Sequence, residues 1–543
     1  MLCGNMQTNG LLISDILEYT VRHNPDSKIT SRDNDGSIRQ FSYSELYQRV
    51  LKLASALDQL GVALGDRIAT IAWNNHRHLE LYYAISGLGA VTHTINPRLF
   101  HEQISYIVNH AEDKMIFVDE SFVDIVRELQ SSFTSKPTIV LMTERPTSAE
   151  QALEGALYYE DLIEGATPLN GWPSFDDQAA AALCYTSGTT GNPKGALYSH
   201  SSTILHAMNA CRPDIFDFDK SSVILPVVPM FHVSAWGTPY AALMCGAHLV
   251  LPGSALDGQS LSELAKRCEV DCMLGVPSIW FSLLAFLKSN DTTLPSLKKV
   301  VVGGSAAPES MISEFEDIHD VRVIHAWGMT ELSPLGTINT ASITHTHLEK
   351  AALLQLQKKQ GRASFGIKLK IVNADNEELP QDGNAVGRLL VKGPWVIERY
   401  YKADESALTE DGWFDTGDVA SIDELGYMTI VDREKDVVKS GGEWISSIEL
   451  ENIAVGHDGV KEAAVIAAHH EKWDERPLLI AVKHSMATIS KDELIGYFDG
   501  KVAKWWIPDD VIFVDALPYN ATGKILKRDL RLSYEDHYLK SER

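Results

Sequence analysis

A chain of 543 residues exceeds what one hydrophobic core supports, so at least two domains are expected. Asp and Glu outnumber Lys and Arg 73 to 48, giving a formal net charge of -25 that repels a phosphate backbone and argues against nucleic acid as a partner. Hydrophobic content of 45% with charged content of 22% is that of an ordinary globular protein, and no stretch supplies the ~20 uninterrupted apolar residues of a membrane span.

The six cysteines, Cys3, Cys184, Cys211, Cys245, Cys268 and Cys272, are scattered and form no CxxC pair, so reduced thiols are expected rather than a zinc site. The stretch MLCGNMQTNGLLISDILEY lacks a basic segment leading into a long apolar one, and the final KSER is not a peroxisomal tripeptide. The cytoplasm is the expected compartment.

Ser42 and Glu45 have the spacing of a capping box, and Leu46, Val50, Leu53, Leu57 and Leu60 recur at helical intervals before Gly61. The apolar run RIATIAW follows, then the helical pattern HLELYYAISGLGA, then VTHTI. Strand and helix alternate, as in a parallel α/β sheet. The same texture continues through AAALCY, VILPVVP, LVLP, DCMLGVP, KKVVVGG and VRVIHAWG. Most of these runs end in Gly or Pro, and ligand sites are expected at the carboxyl ends of such strands.

From about residue 361 the pattern shifts to short strands separated by Gly and Asp turns, which predicts a β-rich subdomain. The charged, glycine-bearing REKDVVKSGG then precedes further helix, strand and helix. The predicted layout is an α/β fold with a large N-terminal domain over 1–432, a hinge over 433–439, and a small mobile α+β domain over 440–543.

The strongest chemical signal is Tyr185-Thr-Ser-Gly-Thr-Thr-Gly-Asn-Pro-Lys-Gly195. Glycines at 188, 191 and 195 let backbone N–H groups approach an anion, the hydroxyls of Thr186, Ser187, Thr189 and Thr190 add donors, and Lys194 adds charge. The spacing is not that of a Walker A loop. A surface turn is the plain alternative, but few turns combine hydroxyl-flanked glycines with a lysine.

This loop resembles the signature of the adenylate-forming superfamily, which includes acyl-CoA synthetases, peptide synthetase adenylation domains and firefly-type luciferases. Four further motifs agree in order: Trp327-Gly-Met-Thr-Glu331, Trp413-Phe-Asp-Thr-Gly-Asp418, Asp432-Arg433 with GGEWISSIELE, and Asn520-Ala-Thr-Gly-Lys524. Together they extend the resemblance over essentially the whole chain.

The resemblance implies an enzyme that joins a small carboxylic acid to coenzyme A through an acyl-adenylate, using ATP and Mg²⁺. Ser187, Gly188, Gly191 and Lys194 would contact phosphates. Glu331 and Thr186 are hard oxygen ligands suited to Mg²⁺. Gly303, Gly304, Ser305 and Ala306 resemble the adenine-binding turn, with Trp327 as the opposite wall and Gly328, Met329 and Thr330 beside it. Tyrosine is usual where Trp327 stands, so stacking is kept and a hydroxyl is lost. Asp418 would accept the ribose hydroxyls and Arg433 would brace them.

Lys524 is the implied cation that bridges carboxylate and α-phosphate. Lys435 matches the hinge, about which the C-terminal domain would rotate between adenylation and thiol transfer. Lys439, Gly441, Gly442, Glu443 and Trp444 would border the pantetheine route. Each of these residues taken alone is more often solvated surface or plain core.

His232, in PMFHVSAW, stands where peptide synthetase domains resemble Phe-Asp-x-Ser, so an α-amino acid would lose its counter-charge. His232 is therefore assigned to the acyl and catalytic side, Trp236 is expected to close the far end of the acyl pocket, and Gly303 and Trp327 are also assigned to substrate binding. Only 19 residues follow Lys524, so no fused carrier domain is expected. Oxygenase chemistry stays open, because it depends on substrate.

The run FHVSAWGTPYAALMCGA is similar to that of bacterial medium-chain and methylthiopropionate CoA ligases. The expected acid is 3-(methylthio)propionate, in dimethylsulfoniopropionate catabolism. A medium-chain fatty acid is the alternative, and a non-CoA adenylating or binding protein a distant third. A homodimer is left open.

Overall fold

The structure, a computed structural model, describes residues 2, 4–7, 9–144, 153–186, 192–441, 443–485, 487–519 and 525–541. They fall into two compact units, Met1–Ile367 with Lys392–Leu408, and Lys368–Val391 with Thr409–Arg543.

In the first unit a seven-stranded sheet of described residues runs in the order Leu157–Tyr158, Thr138–Leu141, Met115–Val118, Arg67–Ile71, Val91–Thr94, Ala180–Tyr185, Gly195–Ser199. All its pairings are parallel except the last, where Ala180–Tyr185 and Gly195–Ser199 form an antiparallel hairpin at the sheet edge. A nine-stranded sheet has a parallel centre, with Val223–Pro226, Cys272–Gly275, Lys299–Val302 and Arg322–Gly328 side by side. Its edges are antiparallel, and Arg362–Ala363 is its last strand.

Local chemistry explains the helices that join these strands. Ser42 caps Tyr43–Gln59 by accepting from Glu45 N–H, and Glu45 returns a bond to the Ser42 backbone, the expected reciprocal cap. Leu46, Val50, Leu53 and Leu57 all face the core. Leu60 does not: it lies past the last helical turn and is exposed. The helix His76–Gly87 is buried along its whole length, so its polar residues need internal partners. His78 is held by Thr70 and the Trp73 carbonyl, and Glu80 by Arg49 and Tyr159.

In the second unit a four-stranded sheet orders Lys368–Val372, Gly387–Lys392, Phe414–Ile422 and Met428–Arg433. A five-stranded sheet follows, built on the long antiparallel pair Val460–His470 and Asp474–Lys483. The helix Lys527–Tyr534 packs on this sheet through Leu530. Described cysteines 184, 211, 245, 268 and 272 carry no disulfide, and no helix among the described residues is long and apolar enough to cross a membrane.

Candidate active site

The edge hairpin carries the glycine- and hydroxyl-rich loop. Tyr185 pairs with Gly195, and Thr186 N–H donates to the Lys194 carbonyl at 2.9 Å, which pinches the loop at its base. Ser187, Gly188, Thr189, Thr190 and Gly191 lie outside the described residues. Lys194 holds its ammonium 5.0 Å from the centre of the Tyr400 ring, a cation–π distance.

Tyr400 also reaches the second motif. Its hydroxyl donates to Glu331 Oε1 at 2.8 Å, while Ile397 N–H donates to the Glu331 carbonyl at 2.8 Å. Tyr198, on the hairpin, donates to the Thr330 carbonyl at 2.6 Å. Glu331 is buried, so its carboxylate needs a hydrogen-bond donor or a cation beside it. Lys194 and Glu331 are thus both held by residues 397–401, with Thr186 tied to Lys194 through the backbone. A carboxylate and a hydroxyl are both hard oxygen donors of the kind Mg²⁺ accepts while it retains waters, so Glu331 and Thr186 fit that ion by their chemistry.

The strand Arg322–Gly328 delivers Trp327 and Gly328 at its carboxyl end. The Trp327 ring lies against Gly336, where a Cβ would overlap it, and a Cβ at Gly328 would strike the Pro334 carbonyl. Met329 N–H donates to that carbonyl at 3.0 Å. One strand over, Gly303 follows Lys299–Val302 and is buried, Gly304 takes φ +81° and is exposed, and Ser305 and Ala306 continue the turn.

The acyl-side motif has an unusual backbone. After exposed His232, Val233, Ser234, Ala235, Trp236 and Gly237 have φ of 46°, 50°, 47°, 57° and 74°, one turn of left-handed helix. Each non-glycine residue there costs roughly 1–2 kcal/mol, so the surroundings must hold the turn. Tyr82 donates to the Met230 carbonyl at 2.5 Å, Thr238 Oγ1 to the Ala235 carbonyl at 2.6 Å, and the His206 ring fills the space beside Gly237. Burial holds the His206 pKa down at about 4, so the ring is neutral and Nε2 accepts from Leu335 N–H. The turn's outcome is the position of Trp236: a Cβ at Gly303 would sit 2.8 Å from its Cη2.

In the second unit Asp418 and Arg433 face each other on adjacent strands and form an ion pair, Nε to Oδ1, at 2.8 Å. Asp432, the next residue, accepts from Ser447 N–H at 2.6 Å, and Ser446 Oγ donates to the Val431 carbonyl at 2.5 Å. Lys435 and Lys439 are exposed, and Lys439 pairs in register with half-buried Trp444. Gly441, at φ +59°, donates its N–H to the Trp473 carbonyl and packs on that ring. Gly442 lies outside the described residues, and Glu443 is described only in its backbone, which pairs with Ser440.

Lys524 also lies outside them. Lys527, on the helix that follows, is half-buried and bonds Glu451 at 2.6 Å and Ser447 Oγ at 2.5 Å, while Arg531 pairs with Asp436 at 2.6 Å. No motif marks Tyr400, Tyr198, His206 or Lys527, whereas Asp432 stands within the motif that carries Arg433.

The family model of AMP-binding enzymes matches residues 17–401, and the model of the AMP-binding enzyme C-terminal domain matches residues 449–524. The chain belongs to the AMP-binding enzyme family. It is 52% identical over 540 residues to a medium-chain-fatty-acid–CoA ligase of Ectopseudomonas oleovorans, with 99% of each chain covered. It is 49% identical over 535 residues to a 3-methylmercaptopropionyl-CoA ligase of Ruegeria lacuscaerulensis, covering 98% of this chain and 99% of that one.

Among solved structures, ATP-bound MatB from Rhodopseudomonas palustris superposes with a TM-score of 0.81 at 26% identity, covering 97% of this chain and 99% of that one. This AMP-binding enzyme therefore has the adenylate-forming fold and is an acid–thiol ligase of the acyl-CoA synthetase class. ATP and coenzyme A are the co-substrates of that class, and Mg²⁺ is its metal.

Proposed function

We propose that this AMP-binding enzyme converts 3-(methylthio)propionate to its coenzyme A thioester in two steps. A carboxylate oxygen attacks the α-phosphorus of ATP, the bond from that phosphorus to the oxygen bridging the β-phosphorus breaks, and pyrophosphate leaves. The CoA sulfur, losing its proton, then attacks the acyl-adenylate carbonyl and expels AMP. Mg²⁺, held by Glu331 and Thr186, would neutralise phosphate charge.

Lys194 and the backbone of the 186–195 loop bind the phosphates in this reading, and Asp418 with Arg433 binds the ribose. Lys524 supplies the cation that lets two anions meet. Lys435 is the proposed hinge, and Gly441, Gly442 and Trp444 border the pantetheine route. The proposed compartment is the cytoplasm.

The observation that carries the choice of a short acid is the Trp236 ring seated on Gly303 without space for one more carbon. In this reading the ring ends the acyl pocket and so favours a short chain. A medium-chain fatty acid is the second reading, favoured by the 52% identity to a ligase of that name. ATP–pyrophosphate exchange across straight-chain, branched, aromatic and sulfur-bearing acids tests both. The highest kcat/KM for 3-(methylthio)propionate is expected, and an optimum at eight or more carbons would reverse the order.

A further inference from the structure

We infer that Tyr400 is a positioning residue for the metal and phosphate site, orienting the Glu331 carboxylate with its hydroxyl and Lys194 with its ring. This rests on the reading above, in which Glu331 ligates Mg²⁺ and Lys194 meets phosphate. The hydroxyl takes Glu331 Oε1 at 2.8 Å, which fixes the carboxylate plane and leaves Oε2 to face a cation. The ring face attracts the ammonium of Lys194 at 5.0 Å, holding a long, flexible side chain beside the loop it serves. One side chain therefore contacts two opposite charges of the site, a cation through its ring and an anion through its hydroxyl.

The strap bearing Tyr400 is tied on both sides. Ile397 N–H bonds the Glu331 carbonyl and Tyr401 N–H bonds the Gly195 carbonyl, each at 2.8 Å. Beyond them, Lys402 donates to the His110 carbonyl at 2.8 Å and pairs with Glu112 at 2.9 Å. A rigid mount is what an orienting group requires. On its open side the strap borders a cleft lined by Tyr198, Ser202, Ser333 and Glu398.

The test measures binding directly, by electron paramagnetic resonance of Mn²⁺ titrated into enzyme holding a non-hydrolysable ATP analogue, for wild type, Tyr400→Phe, Tyr400→Leu, Glu331→Gln and the double variant Tyr400→Phe/Glu331→Gln. Tyr400→Phe keeps the ring and removes the hydroxyl, so Mn²⁺ affinity is expected to fall about ten-fold, the lower end for outer-shell partners of a metal ligand. Tyr400→Leu should additionally weaken binding of the analogue without metal, because the Lys194 ammonium loses its ring.

In the double variant the losses should not add, since Tyr400 acts through Glu331. Full Mn²⁺ affinity in Tyr400→Phe alongside a loss in Glu331→Gln overturns the role of Tyr400. Full affinity in Glu331→Gln overturns the ligand reading itself. If Tyr400→Phe lowers the melting temperature, the double variant still decides, because additive losses in affinity mark a merely structural tyrosine.

Discussion

Trp236 lies on the backbone of Gly303, so close that a methyl at 303 would sit 2.8 Å from its ring. Gly303 follows the strand Lys299–Val302 while Trp236 lies ten residues beyond Val223–Pro226, 67 positions away in sequence, so the contact is a product of the left-handed turn at 233–237 and of the order of the sheet. Gly303→Ala is expected to displace the ring and lower kcat/KM for short acids by roughly ten-fold or more, given that small misplacements at a reacting centre are costly. Trp236→Ala should move the optimum toward longer acids, each added methylene contributing about 0.8 kcal/mol where it fits. A homologous acid series measured with the melting temperature checks this. A stable Trp236→Ala enzyme with an unmoved optimum would rule out the ring as the pocket's end.

Lys524→Ala should abolish adenylate formation far more than it slows thioester formation from synthetic acyl-adenylate. The cation is needed where carboxylate meets phosphate and not where thiol meets carbonyl. Single-turnover assays of the two half-reactions give the comparison, and equal losses in both would remove Lys524 from the first step.

Proline fixes φ near −65°, so Lys435→Pro is expected to restrict rotation at the hinge, sparing pyrophosphate exchange while impairing CoA transfer. The neighbouring bonds sharpen the expectation. Asp432 is held by Ser447 and Asp436 by Arg531, so the freedom needed for rotation must come from the residues between. Wild-type thioester formation by a folded Lys435→Pro enzyme would place the hinge elsewhere.

Lys527 and Glu451 form a largely shielded ion pair, their side chains 12% and 17% exposed, and replacing Lys527 by Met leaves the Glu451 carboxylate unpaired. Breaking such a pair costs about 3–5 kcal/mol. A lowered urea midpoint for the second unit is expected, together with weaker adenylation, because Lys524 lies three positions before Lys527. Glu451→Gln in the same background should recover part of the stability, and no recovery would mean that the pair is not the cause.

His78 is buried with its pKa held down at about 4, chiefly by desolvation, whereas an unfolded histidine titrates near 6.5. Between those values the unfolded state binds the extra proton, so stability falls as pH drops from about 6.5 to 4, with a slope of up to about 1.4 kcal/mol per pH unit for one such group. Denaturant melts over that range should show His78→Gln with a shallower dependence than wild type. An unchanged slope would assign the acid sensitivity to other groups.

Features that are local or periodic can be read straight from the residues. The Ser42–Glu45 cap, the alternation of apolar runs with helical patterns, and the five ordered motifs were all legible, because each depends on residues a few positions apart. The family followed from the motifs. What the tertiary structure alone decided are contacts made across long separations.

Tyr400 sits in ERYYKAD, a segment with no motif, and becomes significant only because folding lays it between Lys194 and Glu331. The left-handed turn after His232 could not be anticipated from Val233, Ser234 and Ala235, since none of them favours positive φ. It persists because Tyr82 anchors the Met230 carbonyl just before the turn, Thr238 bonds the Ala235 carbonyl within it, and the His206 ring fills the space beside Gly237. Backbone conformation that a residue resists can be imposed only by packing, and packing is settled by the whole fold rather than by the neighbours in the chain.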